Sequence, residues 1–192
     1  MTGVGGVLLT GGASRRLGVD KATLVLDGET LADRAARFLT QRCDRVVEVG
    51  TGITQLRSVR ESPPGSGPLS ALAAGVAALE CDAPVGSVLL LACDLPHSED
   101  AVDALVAIAD MPSGAVIPLD ADGRRQYVCA RYGPDALARA AALIAAGERS
   151  LRGMVDAMPA ETVVDLAGFA TETFADVDVP ADAHRMGIDL PR

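Results

Sequence analysis

A chain of 192 residues with 49% hydrophobic side chains is long enough for one sizeable core and short for two, so a single domain over 1–192 is expected. With 22% charged residues and many Val, Leu and Ala it is not a disordered chain, and a formal net charge of −9 with 3% aromatic residues speaks against a polynucleotide partner. The longest apolar runs, such as VGSVLLLAC at 85–93, fall well short of the roughly 20 residues that span a bilayer, which excludes a transmembrane helix. MTGVGGVLLTGG has no basic segment before its apolar run, so no signal peptide is read and a cytoplasmic location is expected. Cys43, Cys81, Cys93 and Cys129 form no C-x-x-C pair and read as reduced core or surface thiols.

In chain order, VGGVLLT (4–10) reads as a strand. LADRAARFLTQRC (31–43) is a helix with Leu31, Ala35, Phe38 and Leu39 at helical spacing, and RVVEV (45–49) is again a strand. After RESPPGSGP comes the helix LSALAAGVAALE (69–80), entered through Pro68, which suits a first helical turn. The continuous apolar run SVLLLAC (87–93) is a buried strand ending at Asp-Leu-Pro. EDAVDALVAIAD (99–110) is helical, with Ser98 as N-cap and acids in its first turn. AVIPL (115–119) and QYVCARY (126–132) are strands around the turn DADGRR, and PDALARAAALIAAG (134–147) is a helix stopped by Gly147. The short helix SLRGMVDAM, the strand ETVVDL, a strand or loop TFADVDV and a closing helix PADAHRMGI complete the chain. This alternation predicts a three-layer α/β/α fold around a mostly parallel sheet.

In such sheets ligands bind beyond the carboxyl ends of the strands, where glycine-rich turns gather backbone N–H groups. LLTGGASRRLGVDKATL (8–24) sits at that place after the first strand. Five residues separate Gly12 from Gly18, and Val19 and Asp20 precede Lys21, so it is not a Walker A loop; nor does GGASRRLG fit a dinucleotide fingerprint. It does combine two adjacent glycines for close backbone approach, the Ser14 hydroxyl and the cations Arg15, Arg16 and Lys21. A triphosphate carries about four negative charges, and charge-assisted bonds from Arg and Lys suit it. The plainer alternative is a strand–helix loop with solvated basic residues.

These residues resemble the signature L-A-G-G-x-S-x-R-M-G-x-D-K of nucleotidyltransferases with a glycosyltransferase-A-like, Rossmann-type fold, with Thr10 for Ala and Leu17 for Met. Arg16 matches the signature arginine and Lys21 the signature lysine. Within that group the chain resembles the molybdenum cofactor guanylyltransferases, which join GMP from GTP to molybdopterin. GPLSALAAGVAAL (67–79) is similar to their G-P-L-x-G element, LLLACDLPH (89–97) to their metal-binding C-D-x-P strand, and FADVDVPAD (174–182) to their late F-x-N-V-N-T-P-E-D. AGERSLRGMVDAM lies where the family has a similar Gly-Glu-Arg helix entry.

The resemblance also implies residue roles. Arg16 and Lys21 stabilise the pentavalent centre and the departing pyrophosphate, and Asp94, at a strand end where an unpartnered acid is costly, holds Mg²⁺ beside the nucleotide. The alternative for Asp94 is a capping acid ahead of Pro96. Leu9, Thr10, Gly11, Gly12, Ser14 and Gly67 contact the nucleotide, and Glu61 stands where the family usually has Asp. A carboxylate there can accept from guanine N1–H and N2 amino groups, which cytosine does not offer in the same pattern. Gly50 and Thr51 replace a family Asn after the second strand. Gln126, Asp176 and Asp178 fall on the acceptor side; both acids replace family asparagines, which permits a second metal ligand there, and alternating acids also suit a solvated edge. Arg124 and Arg125 flank Gln126 and read either as acceptor contacts or as solvated turn residues. The 62–68 loop reads either as a cover for the base or as a stiff turn. His97 is a rim residue and His184 lies on a surface helix. The substrates expected are GTP and molybdopterin, whose already ionised phosphate needs no general base, with transient contact to molybdenum-insertion proteins or molybdoenzyme chaperones. A cytidylyl- or sugar-nucleotide transferase on the same scaffold and a non-catalytic nucleotide sensor are the competing readings.

Overall fold

The computed structural model describes residues 3–11 and 18–190. Its strands are β1 (Val4–Leu9), β2 (Val25–Leu26), β3 (Glu29–Thr30), β4 (Arg45–Val49), β5 (Arg57–Val59), β6 (Ser87–Ala92), β7 (Ala115–Pro118), β8 (Cys129–Tyr132) and β9 (Val163–Leu166). The α-helices are α1 (Leu31–Thr40), α2 (Pro68–Glu80), α3 (Glu99–Val106), α4 (Pro134–Ala145), α5 (Leu151–Asp156) and α6 (Pro180–Arg185). Seven strands form one sheet in the order β5-β4-β1-β6-β8-β7-β9, while β2 and β3 pair separately. β5, β4, β1 and β6 run parallel, β7 and β9 run parallel, and β8 is antiparallel to both its neighbours. The expected mostly parallel sheet is therefore present with one strand reversed.

The apolar runs are continuous because both faces of the sheet are covered. Along β1, Val7 joins Val88 and Leu90 beneath α2, α4 and α5, whereas Leu8 joins Leu89 and Leu91 beneath α1 and α3. Gly75 lets α2 come close to β1, since a Cβ there would lie 2.7 Å from both Val7 methyls. A smaller third core of Leu24, Leu26, Leu31, Val177, Ala183 and Ile188 joins the β2–β3 hairpin to the segment around α6, and Asp189 N–H donates to Val25 O.

Several boundaries differ from expectation. The helix read over 31–43 ends at Thr40. The helix read over 99–110 stops at Val106, where the buried Arg131 guanidinium donates to the carbonyls of Leu105 and Ile108 and takes up its free end. Ser98 does not cap that helix with its side chain: its backbone (φ −82°, ψ 9°) is not extended as a capping residue's is, and its hydroxyl donates to Leu95 O at 2.8 Å. The strand read over 126–132 begins only at Cys129, since Gln126 N–H turns back to Pro118 O. The 173–179 stretch enters through a 3₁₀ turn at Thr171–Phe174. The β2–β3 hairpin and β5 lie outside the predicted elements. The hairpin turns through Asp27 (φ 54°) and Gly28 (φ 81°), the Asp-Gly pair such two-residue loops favour. Cys43, Cys93 and Cys129 are buried, Cys81 is exposed, and all four are free thiols.

The unexpected side chain is Glu48. Alternation along β4 sends Val47 and Val49 toward α2 and Glu48 to the other face, where it is fully buried. Its Oε1 accepts from Thr10 Oγ1 (2.6 Å), Gly52 N (2.9 Å) and Ile53 N (2.9 Å), and its Oε2 from Thr54 N (2.9 Å) and Thr54 Oγ1 (2.7 Å). The carboxylate thus bolts the turn after β4 to the turn after β1. Burial alone would raise its pKa, but the hydrogen bonds from Thr10, Ile53 and Thr54 outweigh it and hold the group below the ordinary glutamate value.

Two measurements bear on Gly75 and Glu48. Helix propensity alone predicts that Gly75→Ala stabilises by about 1 kcal/mol, but the contact with Val7 is an overpacking cost of roughly 1–3 kcal/mol, so urea unfolding is expected to show a net loss of stability. A depressed folded-state pKa contributes stability that is fully present above the unfolded value of about 4.3 and is lost as pH falls through the lower folded value. The stability advantage of wild type over Glu48→Gln, measured from pH 7 to pH 3, should therefore hold down to about pH 4.3 and shrink below it; an advantage that grows toward acid contradicts the assignment.

Candidate active site

Four parallel strands end at one edge, and the turns that leave them border a cavity of about 600 Å³. Thr10 and Gly11 come after β1, Gly50 and Thr51 after β4, Arg60 and Glu61 after β5, and Cys93 and Asp94 after β6. That volume lies within the range of small-molecule sites. The N-terminal end of α2 contributes Gly67 and Pro68. Gly67 has φ 98°, and a Cβ there would meet Arg149 O at 2.7 Å, so this entry to α2 requires glycine.

Lys21 is aimed by its own short segment. Asp20 caps the 3₁₀ turn Lys21–Thr23 by accepting from Ala22 N, and Ala22 and Leu24 anchor it in two different apolar clusters. The ammonium then projects into the cleft, where Nζ lies 3.1 Å from Asp94 Oδ2 and also pairs with Asp178 Oδ1. The side chains of Lys21, Asp94 and Asp178 are 17%, 26% and 47% exposed. Burial alone would lower the Lys21 pKa, but the hydrogen bonds and charges of Asp178 and Asp94 more than reverse it, so the group stays charged at neutral pH.

Asp178 reaches this point because Val177 is buried in the third core and because Asp182 Oδ2 accepts from the backbone N–H groups of Asp178 and Val179 at 3.0 Å each. Asp176 lies exposed two residues before it. Desolvation of its carboxyl, followed by the charges of Asp178 and Asp94, holds the Asp176 pKa above the ordinary carboxylate value. Acids far apart in the chain therefore share one field.

Of the residues singled out in the sequence, Leu9, Thr10, Gly11, Lys21, Glu61, Gly67 and Asp94 all line the cavity. Glu61 Oε1 accepts from Gly65 N at 2.8 Å, folding the proline-glycine loop onto its own acid; Pro64 and Gly65 join the lining. Gly12, Ser14, Arg15, Arg16 and Leu17 lie outside the described residues. Gln126 is not among the lining residues; its Nε2 donates to Asp120 Oδ2 at 2.9 Å. Arg125 pairs with Asp165 and the exposed Arg124 with Asp122. His97 and His184 are exposed, the latter on α6.

Two residues escaped the sequence reading. Arg60 lines the cavity and its Nε donates to Gly50 O at 3.2 Å, bracing the turn after β4. Glu48 holds that turn from inside. One acid in RVVEV reads equally well as the outward half of a strand, so the sequence carried no local signal for its burial.

Residues 6–163 match the MobA-like NTP transferase domain family. The chain is 37% identical over 186 residues to a probable molybdenum cofactor guanylyltransferase from Mycobacterium marinum, covering 91% of this chain and 92% of that protein. A protein of the same name from Mycobacterium avium is 35% identical over 167 residues, covering 83% and 84% of the two chains. In structure it is similar to molybdopterin-guanine dinucleotide biosynthesis protein A from Archaeoglobus fulgidus, at TM-score 0.73 and 18% identity over 95% and 96% of the chains. It is also similar to Rv0371c from Mycobacterium tuberculosis, at TM-score 0.77 and 18% identity over 96% and 97%. These structural likenesses concern the fold. The family match runs through the strands and turns that build the cleft, and the chain belongs to the MobA-like NTP transferase domain family.

Proposed function

We propose that this protein, acting as one nucleotidyltransferase domain over 1–192, transfers GMP from GTP to the terminal phosphate of molybdopterin and releases pyrophosphate. The observation that carries the reading is the meeting of Lys21 and Asp94 at the strand-end cleft. The 37% identity to a protein named probable molybdenum cofactor guanylyltransferase supports the choice of substrates. Because GTP is an intracellular metabolite, the proposed reaction belongs in the cytoplasm.

The charges of the cleft say what else is needed. Asp20, Glu61 and Asp94 line it against Lys21 and Arg60, an excess of acid among the described residues. A triphosphate of about four negative charges is not held by such a wall alone. Mg²⁺ takes one or two carboxylates and completes its shell with phosphate oxygens and water, and the cleft offers carboxylates on its wall. Asp94 is the ligand we assign, with Asp178 within reach of the same ammonium. A structural neighbour from Mycobacterium tuberculosis is a manganese complex, which supports a divalent ion. When bound, the ion neutralises charge on the phosphates.

The chain's own residues supply position and countercharge. Backbone groups of Leu9 to Gly12, with Ser14, approach the nucleotide, while Glu61 offers acceptors to the guanine N1–H and N2 amino group. The acceptor phosphate oxygen forms a bond to the α-phosphorus as the bond to the pyrophosphate oxygen breaks in line. Lys21 and Arg16 stabilise the charge gathered on the transferring and leaving groups. The phosphate nucleophile is already ionised, so no side chain need remove a proton. Gln126, Asp176 and Asp178 are assigned to the acceptor side.

Molybdopterin incubated with Mg²⁺ and each nucleoside triphosphate in turn should give a guanine dinucleotide by mass together with pyrophosphate. A cytosine dinucleotide overturns the base assignment, and no pyrophosphate with any nucleotide overturns the transfer. Chelation should abolish turnover, with Mg²⁺ or Mn²⁺ restoring it. Asp94→Asn and Lys21→Ala, checked for folding by thermal melting, should each lower kcat about a hundredfold or more; a kcat within threefold of wild type would remove that residue from the mechanism.

A further inference from the structure

Resting on the nucleotidyltransferase reading, we propose that Glu48 is a positioning residue for the nucleotide, fixing through Thr10 and the 50–54 turn the wall against which the nucleotide binds. Glu48 itself does not line the cavity, but Thr10, Gly50 and Thr51 do. Its two oxygens gather five donors from those two turns, all between 2.6 and 2.9 Å. Among the described residues no cation pairs with it, and these neutral donors offset the cost of burying its charge.

The core does not need this acid. An apolar side chain at this inward position of β4 would pack beside Val46 without burying a charge, at the cost of leaving the donors of the two turns without an acceptor. What the carboxylate adds is outside the core. Three backbone N–H groups, those of Gly52, Ile53 and Thr54, converge on it, which is the arrangement of an anion-binding nest. Because the protein's own anion fills that nest, these amides are closed to the nucleotide phosphates, and the turn offers the cleft only Gly50 and Thr51. The phosphates are thereby directed to the glycine turn after β1 and to Lys21.

The fit between the two turns is close. A Cβ on Gly50 would stand 2.0 Å from Thr10 Oγ1 and 3.1 Å from Gly11 N, so Thr10 and Gly11 are seated directly against the second turn. The Thr10 hydroxyl, donating to Glu48 at 2.6 Å, fixes that seat. Lys21 and Asp94 are held by each other and by Asp178, and Glu48 does not touch them. Losing the bolt therefore weakens binding equally in the ground and transition states, which raises KM and spares kcat.

The test uses the full chain as wild type, Glu48→Gln, Thr10→Val, Thr10→Ser and the double variant Glu48→Gln/Thr10→Val, with GTP varied at saturating molybdopterin. Gln turns an NH₂ toward at least two of the donors, and Val removes the hydroxyl that Ser retains. Glu48→Gln and Thr10→Val should each raise KM for GTP about tenfold with kcat within about threefold. Thr10→Ser should restore the wild-type KM, and the double variant should be no worse than the worse single one, because both cut one network. An unchanged KM with only a lowered melting temperature, a kcat that falls as far as KM rises, or additive effects would overturn the proposal. Should Glu48→Gln fail to fold, the Thr10→Val and Thr10→Ser pair decides by the same KM criterion. If wild type turns over another nucleotide in place of GTP, the guanine reading fails and the same variants are measured with that nucleotide. If it turns over none, calorimetric affinities for GTP with Mg²⁺ replace KM.

Discussion

One ammonium group ties together the acids at the strand-end cleft. Lys21 stands in the turn after the first strand, Asp94 is 73 positions further on and Asp178 is 157 positions further on, yet all three meet over one cleft. In a chain of net charge −9 a partly buried lysine gains from such company, and the pairing keeps it protonated against the cost of burial. The dependence also runs the other way. Two carboxylates packed near each other repel unless a cation sits among them, so Lys21 is what allows the acid at the end of β6 and the acid ahead of α6 to be neighbours.

The sheet makes that meeting possible. Because β5, β4, β1 and β6 are parallel, their carboxyl ends open on the same edge, and four stretches distant in sequence become four sides of one cavity. The turns are then fixed by polar means. Glu48 holds the second turn from within, Arg60 braces it from the cleft side, and Asp20 caps the short turn that carries Lys21. Apolar packing sets the positions of the strands, while hydrogen bonds set the angles of the loops between them.

Much of this was legible from periodicity and composition. The continuous run at 87–92 is buried on both faces, as its lack of alternation implies, and Leu31, Ala35, Phe38 and Leu39 lie on the buried side of α1. Asp94 and Lys21 stood out because a charge at a strand end or in a glycine turn needs a reason. Glu48 did not, since one acid within RVVEV looks like the outward half of a half-buried strand; its burial depends on the 50–54 turn folding over it, a tertiary event with no local signature. β5 was missed because a three-residue edge strand with two polar, exposed positions carries little pattern. The Asp-Gly turn between β2 and β3 was readable but flanks strands of only two residues. Ser98 fits an N-cap by residue type, yet its backbone does not take the extended conformation that aims a capping side chain.

The return of the chain over the β2–β3 hairpin bears on how the molecule is made. Translation delivers every strand of the large sheet, through Leu166, before Val177 and Asp178 appear. The sheet can therefore close while Lys21 faces the acid from β6 without Asp178, and the cluster is completed only when Val177 and Ile188 settle against Leu24 and Leu26. A nascent chain, or one clipped ahead of Val177, would hold an almost complete fold around an incomplete charge cluster, so that the cleft receives its last charge after the architecture is already in place.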